Sequence, residues 1–157
     1  MKLRTMNKTD CIFVAGHKGL VGSAIVRKLR DQGYQNILTR DRNRLDLTNS
    51  LQVKEFFETH QVDYVFDAAA RVGGIHANDG PNDNFHPENG HVIPALMTKF
   101  NNTTEDVVTC WGDGTPTREF MYVDDLADAC LFAVEHYSNG ELINVGSGQD
   151  VSIFHLA

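Results

Sequence analysis

The sequence lacks the features that mark membrane proteins and nucleic-acid binders. Its 157 residues contain no apolar run approaching the roughly 20 residues that span a bilayer, and the polar start MKLRTMNKTD has no apolar signal-peptide core. There are 14 basic and 21 acidic residues, and the resulting net charge of -7 argues against nucleic acid or an acidic membrane as the main partner. An anionic small ligand would therefore require local positive charge.

Cysteine is scarce as well. Cys11, Cys110 and Cys130 each lie inside an apolar pattern. An odd, scattered set predicts buried thiols in a reducing compartment and no disulfide framework, which makes the cytoplasm the default location. Internal repeats and low-complexity segments are also absent, and the length predicts one globular domain with its own core.

What the sequence does contain is organised around residues 11–22, CIFVAGHKGLVG. An apolar run is followed by Gly16, Gly19 and Gly22 and then by a helical pattern, which predicts a strand, a glycine turn and a helix. The first glycine permits a tight bend, the second lets backbone approach a phosphate, and the third lets the helix pack closely. The helix N-terminus favours an anionic ligand. The spacing is G-x-x-G-x-x-G, and an ordinary strand-to-helix turn is the alternative.

Alternating strands and helices are predicted over the first 70 residues. The predicted strands and intervening helices are residues 11–15, 20–32, 36–40, 50–59 and 63–70. This alternation implies parallel βαβ units, and hence an α/β fold with a Rossmann-like doubly wound parallel sheet. We expect an N-terminal tail at residues 1–10 and a dinucleotide-binding βαβαβ half at residues 11–75.

The alternation fails in residues 71–90, which are rich in Gly, Asn, Asp, His and Pro and show no period. Residues 76–157 are expected to hold this irregular connection, then substrate-binding elements and a late sheet strand. The predicted elements are helices at 91–100 and 124–137, strands at 106–111 and 142–145, an extended stretch at 119–122 and a helix beginning at 151. The sheet is thus expected to be incomplete, with remnants of a small substrate domain.

Five blocks of sequence resemble one enzyme family. They are GHKGLVGSAIVRKL, AARVGGI, GPNDNFHPENGHVIPAL, WGDGTPTREFMYVDDLADA and INVGSG. The chain resembles the GDP-L-fucose synthases, NADP-dependent epimerases/reductases of GDP-4-keto-6-deoxymannose in the extended short-chain dehydrogenase/reductase superfamily. The resemblance implies NADP as cofactor and a GDP-sugar as substrate, in nucleotide-sugar metabolism. A homodimer is common in the family, but much of its interface would come from a segment that this chain lacks.

The resemblance assigns the cofactor to the glycine turn and the strand ends beside it. The pyrophosphate is expected on Gly16, His17, Lys18, Gly19, Leu20, Val21 and Gly22, with His17 itself pointing outward. Arg40, or secondarily Arg42, is expected to face the 2′-phosphate, although both also fit a solvated basic loop. Asp46 is expected near the adenine end or, alternatively, as the N-cap of the second helix. The residues expected to line the cofactor are Ala68, Ala69 and Ala70.

The resemblance also assigns residues to the substrate. His91 matches the family's acid/base for epimerisation, a task that suits imidazole, and the alternative is a histidine that packs or caps at a helix start. Lys99, Trp111 and Arg118 match positions that hold the GDP-sugar. Their alternatives are an exposed lysine, a core tryptophan and a surface arginine. No metal is expected, because the spacing follows no ligand pattern among Asp83, His86, Glu88 and His91.

One departure from the family concerns its reductase chemistry, which uses a Tyr-x-x-x-Lys pair. The four tyrosines of this chain are followed four places later by Leu38, Ala68, Leu126 and Glu141. The family's catalytic cysteine, which follows a Ser-Ser pair, is missing too, and both belong between Ile75 and Gly80. We therefore expect an NADP-dependent enzyme by family whose activity is impaired. The alternatives are a non-catalytic NADP(H)-binding relic or partner subunit, and a chain that forms no stable domain.

Overall fold

The computed structural model describes residues 5–70 and 91–157, which fall into two units. The first unit comprises Met1–Ala69 and Met121–Ser147, and the second comprises Ala70–Phe120 and Gly148–Ala157. In chain order the elements are β1 (Ile12–Ala15), α1 (Leu20–Asp31), β2 (Ile37–Thr39), α2 (Ser50–Thr59), β3 (Tyr64–Asp67), α3 (Val92–Asn102), β4 (Thr117–Glu119), α4 (Val123–His136), β5 (Asp150–Ser152) and α5 (Ile153–Leu156).

Three strands of the first unit form a parallel sheet in the order β2-β1-β3. All four residues of the central strand β1 are buried, as a parallel strand covered on both faces requires. The predicted α/β class and the parallel βαβαβ half are confirmed. Among the described residues β3 pairs only with β1, and Val65 on this strand remains 48% exposed.

Helices cover both faces of this sheet because side chains alternate along β1. Ile12 and Val14 face a core shared with α1 and α4, which includes Leu131. Phe13 points to the other face, where it packs against Phe56 of α2 with ring centroids 4.7 Å apart. The apolar core of the described residues therefore lies in the first unit, directly beneath the glycine turn that follows β1.

The ends of α1 and α2 follow from local chemistry. Gly33 adopts φ +83° just after α1 and ends it, as predicted. Asn49 is the N-cap of α2, and its side chain accepts hydrogen bonds from the backbone N–H groups of Leu51 and Gln52. The alternative that Asp46 caps this helix is therefore wrong.

Helix α4 belongs to the first unit, although the sequence places it beyond residue 76. Ala127 and Leu131 are buried against α1, and Arg27 of α1 forms an ion pair of 2.6 Å with Asp124. The segment before β1 is also more than a tail, since Met6 is buried in the same core. The contact between α1 and α4 joins residues 97 positions apart, which leaves no local sequence pattern and explains the first difference.

The second unit has little interior. Its described residues are Ala70, 91–120 and 148–157, and none of them is fully buried. They include α3, α5 and the antiparallel pair β4-β5. The predicted extended stretch at 119–122 lies two residues earlier, as β4. The helix predicted from Val151 begins only at Ile153, because β5 takes up the residues before it.

Two predicted strands are wrong. Residues 106–111 and 142–145 form no strand and pair with none in the described part of the chain, and Leu142 is fully exposed. An apolar segment becomes a strand only where a neighbouring strand takes up its backbone hydrogen bonds. No such neighbour for either segment is found among the described residues.

Other predictions concern features of single residues. All three cysteines are free and partly buried, and burial raises the pKa of the Cys11 and Cys130 thiols.

No helix in the described ranges is long and apolar enough to cross a bilayer. The predicted domain boundary at 75/76, the break between Ile75 and Gly80 and the residues Asp83, His86 and Glu88 lie outside the described residues.

Candidate functional site

The glycine turn after β1 is folded so tightly that its first glycine has no room for a side chain. Gly16 adopts φ +71°, and its carbonyl oxygen accepts the backbone N–H of Gly19 at 2.9 Å. A Cβ on Gly16 would lie 2.4 Å from the carbonyl oxygen of Ala68 and 2.8 Å from the backbone nitrogen of Ala69. The turn therefore contacts the end of β3 at backbone distance, and the first glycine has the role that the sequence predicts.

Gly22 brings α1 equally close to the turn. A Cβ at this position would lie 2.2 Å from the carbonyl oxygen of Gly16. The third glycine thus permits close packing of the helix, as predicted, and its immediate partner is the turn itself. Because Gly22 contacts the backbone of Gly16, and Gly16 contacts the backbone of Ala68, the first turn of α1 lies directly beyond the carboxyl end of β1.

The N-terminus of α1 is open to an anion. Its N-cap, Gly19, has no side chain to accept the first helical N–H groups, and the first turn contains no acidic residue. Gly19 and Leu20 are exposed. A helix start with uncapped N–H groups and the positive end of the helix dipole suits a phosphate.

Asp41, just beyond β2, joins that strand end to the glycine turn. Its carboxylate lies 2.8 Å from Nζ of Lys18 and 3.5 Å from Nε2 of His17. The hydrogen bond from Lys18 lowers the pKa of Asp41, which is therefore ionised at neutral pH. The side chain of His17 is only 20% exposed and faces this carboxylate, so the prediction that His17 points outward is wrong.

Arg40 is held in place and is not part of a solvated loop. Its Nη1 donates to the carbonyl oxygen of Thr39 at 2.9 Å, and its Nη2 lies 3.0 Å from Nε2 of His60. The guanidinium carbon is 5.7 Å from the centre of the Phe56 ring. Arg42, in contrast, is mostly exposed, with Nε 3.6 Å from Asp46, and fits the solvated alternative.

The surroundings of the turn are locally positive. Residues 40–46 contain three arginines and two aspartates, and Lys18 adds a further positive charge. With Asp67 at the end of β3 included, the local excess is one positive charge, in contrast to the net charge of -7 for the whole chain. This is the local positive charge that an anionic ligand requires.

The remaining predicted cofactor residues differ in their placement. Ala68 lies against Gly16, and its N–H donates to the carbonyl oxygen of Ala15 at 3.2 Å. Ala69 is beside it, whereas Ala70 is the first residue of the second unit. The Asp46 carboxylate accepts hydrogen bonds from the backbone N–H and hydroxyl of Thr48, which lower its pKa.

In the second unit, two of the predicted substrate residues meet. Nζ of Lys99, in the last turn of α3, donates to the carbonyl oxygen of Thr109 at 3.2 Å and lies 5.7 Å from the centre of the Trp111 ring. Trp111 is 57% exposed, so the alternative of a core tryptophan is wrong. A cation beside an exposed aromatic face is chemically suited to a nucleotide.

The other two predicted substrate residues, His91 and Arg118, are exposed. His91 is the exposed N-cap residue of α3, and its side chain makes no capping hydrogen bond, so the capping alternative is wrong. Arg118 is exposed on β4, where Nη1 donates to the carbonyl oxygen of Thr117 at 2.7 Å, and it fits the alternative of a surface arginine.

Sequence reasoning missed His60. It contacts Arg40 from the residue that ends α2, 20 positions along the chain. The only signal in the sequence is a histidine four residues after Phe56 at a helix end. That pattern predicts ring stacking within the helix but gives no indication of a partner just beyond β2.

The sequence and the fold both match known proteins. The family described as NAD dependent epimerase/dehydratase matches residues 12–79 and, separately, residues 78–146. The chain is 36% identical over 249 positions to putative GDP-L-fucose synthase 2 of Arabidopsis thaliana, covering 97% of this chain and 76% of the relative. It is 30% identical over 253 positions to the GDP-L-fucose synthase of Escherichia coli (strain K12), covering 93% and 78%. A GDP-L-fucose synthetase from Naegleria fowleri bound to NADP shares the fold, with a TM-score of 0.75 at 19% identity over 98% of this chain and 82% of that protein.

The matches also contain an internal gap. The alignment with the Arabidopsis thaliana relative extends over 249 positions, against 157 residues in this chain, so at least 92 positions have no counterpart here. The two matches to the family meet at residues 78 and 79. This is the region where the alternation of strands and helices fails and where the Tyr-x-x-x-Lys block is expected.

Proposed function

Since this chain belongs to the GDP-L-fucose synthases of the NAD dependent epimerase/dehydratase family, we propose that it binds NADP(H) at its glycine turn and carries out little or no reduction of a GDP-sugar. The observation that carries the proposal is the tight glycine turn, in which Gly16 contacts the backbone of Ala68 and Gly22 contacts the backbone of Gly16. This turn leaves an open helix N-terminus at the end of β1. The family consists of NADP-dependent sugar-nucleotide epimerases/reductases, and its members differ from this chain in the internal segment.

The glycine turn fits the pyrophosphate. Gly16, Gly19 and Gly22 carry no Cβ, and no side chain caps the start of α1, so phosphate oxygens can approach its backbone N–H groups. The small Ala68 and Ala69 keep the neighbouring strand end equally open. When bound, the nicotinamide would supply the hydride for reduction of a carbonyl.

Two cations fit the 2′-phosphate. Arg40 and Lys18 are both next to Asp41, which follows Arg40 in the chain and forms an ion pair of 2.8 Å with Lys18. A guanidinium offers paired N–H donors to phosphate oxygens, and the Lys18 ammonium adds a point charge. We propose Arg40 as the main recognition group, because it directly follows β2 at the strand end that Asp41 joins to the turn, and Lys18 as its supplement.

The reductase step lacks its proton donor. A positioned general acid contributes about 10²–10⁴-fold to a rate, and the chain contains no Tyr-x-x-x-Lys pair. Tyr34 is no substitute: it is buried and its hydroxyl donates to Glu135 at 3.1 Å. Burial, followed by the Glu135 contact, raises the pKa of Tyr34 to about 12, opposite to the lowering that the family's lysine provides. The nearby Lys8 ammonium lies 3.8 Å over the ring centre, where it forms a cation–π contact.

A GDP-sugar is the substrate class that we propose. The Lys99–Trp111 pair would supply a cation for the diphosphate and an aromatic face for the nucleotide, and His91 is exposed at the start of α3 as the candidate acid/base. We also propose a cytoplasmic location, the default that the scattered cysteines predict, whereas a homodimer of the family's kind would lack much of its interface segment. The alternative function, a non-catalytic NADP(H)-binding partner of a full-length homologue, shares the dinucleotide site.

Calorimetric titration of the full chain with NADPH and with NADH tests the binding proposal. We expect saturable binding of NADPH, tighter than that of NADH. Arg40→Ala should reduce the preference for NADPH, while Arg30→Ala, an exposed arginine in the last turn of α1, should leave it unchanged. A folded chain that gives no heat of binding with either dinucleotide would overturn the proposal.

A further inference from the structure

Lys18, in the glycine turn, is paired with a carboxylate of the chain itself. Its Nζ lies 2.8 Å from Oδ1 of Asp41, and Nε2 of His17 lies 3.5 Å from the same oxygen. The Lys18 side chain is 74% exposed and the Asp41 side chain is 44% exposed, so a ligand can reach both members of the ion pair. The cation that is proposed to supplement 2′-phosphate recognition therefore already has an anionic partner.

A phosphate that contacts Lys18 must share this ammonium with Asp41. An ammonium directs its hydrogens tetrahedrally, so two oxygens that each accept at 2.8 Å lie about 4.6 Å apart. The carboxylate and a phosphate monoester together carry up to about three negative charges, against one positive charge on Lys18. The hydrogen bond from Lys18 keeps the pKa of Asp41 low, so protonation of the carboxylate does not relieve the repulsion at neutral pH.

The place of Asp41 in the fold directs its effect to the adenosine ribose. Asp41 is the second residue after β2, and its ion pair joins this strand end to the turn after β1. In dinucleotide-binding βαβ units, a carboxylate about 20 residues after the glycines accepts a hydrogen bond from the ribose 2′-hydroxyl, which carries the phosphate in NADP. Asp41 stands 19 positions after Gly22. A carboxylate here suits a free hydroxyl and opposes a phosphate.

We propose that Asp41 is a specificity-determining residue, whose carboxylate competes with the 2′-phosphate for Lys18 and so limits the preference for NADPH over NADH. This inference rests on the proposed function. Neutralising the carboxylate frees the Lys18 ammonium for the phosphate and removes the repulsion. NADH has a hydroxyl at this position, so it gains nothing from either change.

Asp31, the last residue of α1, offers a matched control. It is exposed and lies at the opposite end of the helix from the glycine turn. The 12 residues of α1 span roughly 18 Å, which exceeds the Debye length at moderate salt. Asp31→Asn removes one negative charge from the chain, as Asp41→Asn does, and leaves the ion pair at the turn intact.

The experiment measures Kd for NADPH and for NADH at about 0.1 M NaCl on the full chain and on variants that show cooperative thermal unfolding. Asp41→Asn should bind NADPH roughly 5- to 20-fold more tightly, as expected for removing a carboxylate charge about 6 Å from a phosphate dianion in largely aqueous surroundings. Its Kd for NADH should stay within about twofold of the wild-type value. Asp41→Ser, which also removes the charge, should shift the NADPH Kd in the same direction, and Asp31→Asn should change neither Kd.

Salt separates a charge effect from a change in the shape of the turn. The Debye length falls from about 10 Å at 0.1 M salt to about 3 Å at 1 M, so the gain of Asp41→Asn should shrink to roughly twofold or less at 1 M NaCl. An NADPH Kd that Asp41→Asn leaves unchanged or weakens, an equal gain for both dinucleotides, or a gain that persists at high salt would overturn the inference while leaving the proposed function intact. A folded wild-type chain that binds neither dinucleotide would refute the proposed function, and this inference with it.

Discussion

Replacing Gly16 by alanine is expected to destabilise the first unit more than the same change at Gly33. Both glycines have positive φ, +71° and +83°. They differ in their surroundings: a Cβ on Gly16 would lie 2.4 Å from the Ala68 carbonyl oxygen, whereas a Cβ on Gly33 would meet nothing within 4 Å. The pair therefore separates the cost of the left-handed backbone from the cost of the backbone collision.

The two contributions differ in size. A left-handed conformation costs a residue with a Cβ about 1–2 kcal/mol, and this applies to both variants. Forcing an extra methyl group into a packed site adds about 1–3 kcal/mol, which applies to Gly16 alone because the obstructing atoms are backbone. We expect Gly33→Ala to lose about 1–2 kcal/mol of unfolding free energy and Gly16→Ala to lose about 2–5 kcal/mol.

Urea unfolding of the full-length variants, followed by far-UV circular dichroism, measures these losses if the dependence on urea is the same in each. NADPH titration of the same samples should show that Gly33→Ala retains binding and Gly16→Ala does not. Equal losses of unfolding free energy would mean that the glycine turn does not contact the end of β3, and the site as described would then be wrong.

Three further predictions concern the rest of the molecule. Leu131→Ala, at an α4 residue that is 2% exposed, should cost about 2–5 kcal/mol of unfolding free energy, while Phe132→Ala, 63% exposed on the same helix, should cost less than about 1 kcal/mol. Similar urea midpoints for the two variants would refute the packing of α4 on α1. Because the folded state raises the pKa of Tyr34 from 10.0 to about 12, the stability it contributes is complete below pH 10 and is lost as the pH rises toward 12. Tyr34→Phe should flatten this alkaline decline in urea midpoints, and an unchanged slope would contradict it. Amide hydrogen exchange followed by mass spectrometry should show less protection in α3 than in β1, since no described residue of the second unit is fully buried; equal protection would show that the second unit has a core.

The βαβαβ half could be predicted because its signals are local. The apolar run before Gly16, the helical period after Gly19 and the glycine that ends α1 each specify nearby backbone. The roles of Gly16 and Gly22 were predictable for the same reason, since both depend on atoms within the turn or on the strand beside it. Parallel pairing followed from the alternation of strands and helices.

What the sequence could not reveal depends on distant partners. Residues 106–111 and 142–145 have strand-like composition, but composition does not show whether a neighbouring strand exists. The packing of α4 on α1 joins residues such as Arg27 and Asp124, 97 positions apart. The contact of Arg40 with His60 requires β2 and α2 to fold against each other first. In each case the local pattern is correct and the missing information is tertiary.

The central claim, dinucleotide binding without reduction, is tested most directly by the fluorescence of NADPH on mixing with the full chain and then with GDP-4-keto-6-deoxymannose. We predict a saturable change in nicotinamide emission on mixing, followed by no decay above a chain-free control when the sugar nucleotide is added. Decay faster than that control would show that the chain reduces the sugar without a Tyr-x-x-x-Lys pair. The absence of any saturable change with folded chain would show that the glycine turn binds no NADPH, and either result would contradict the account.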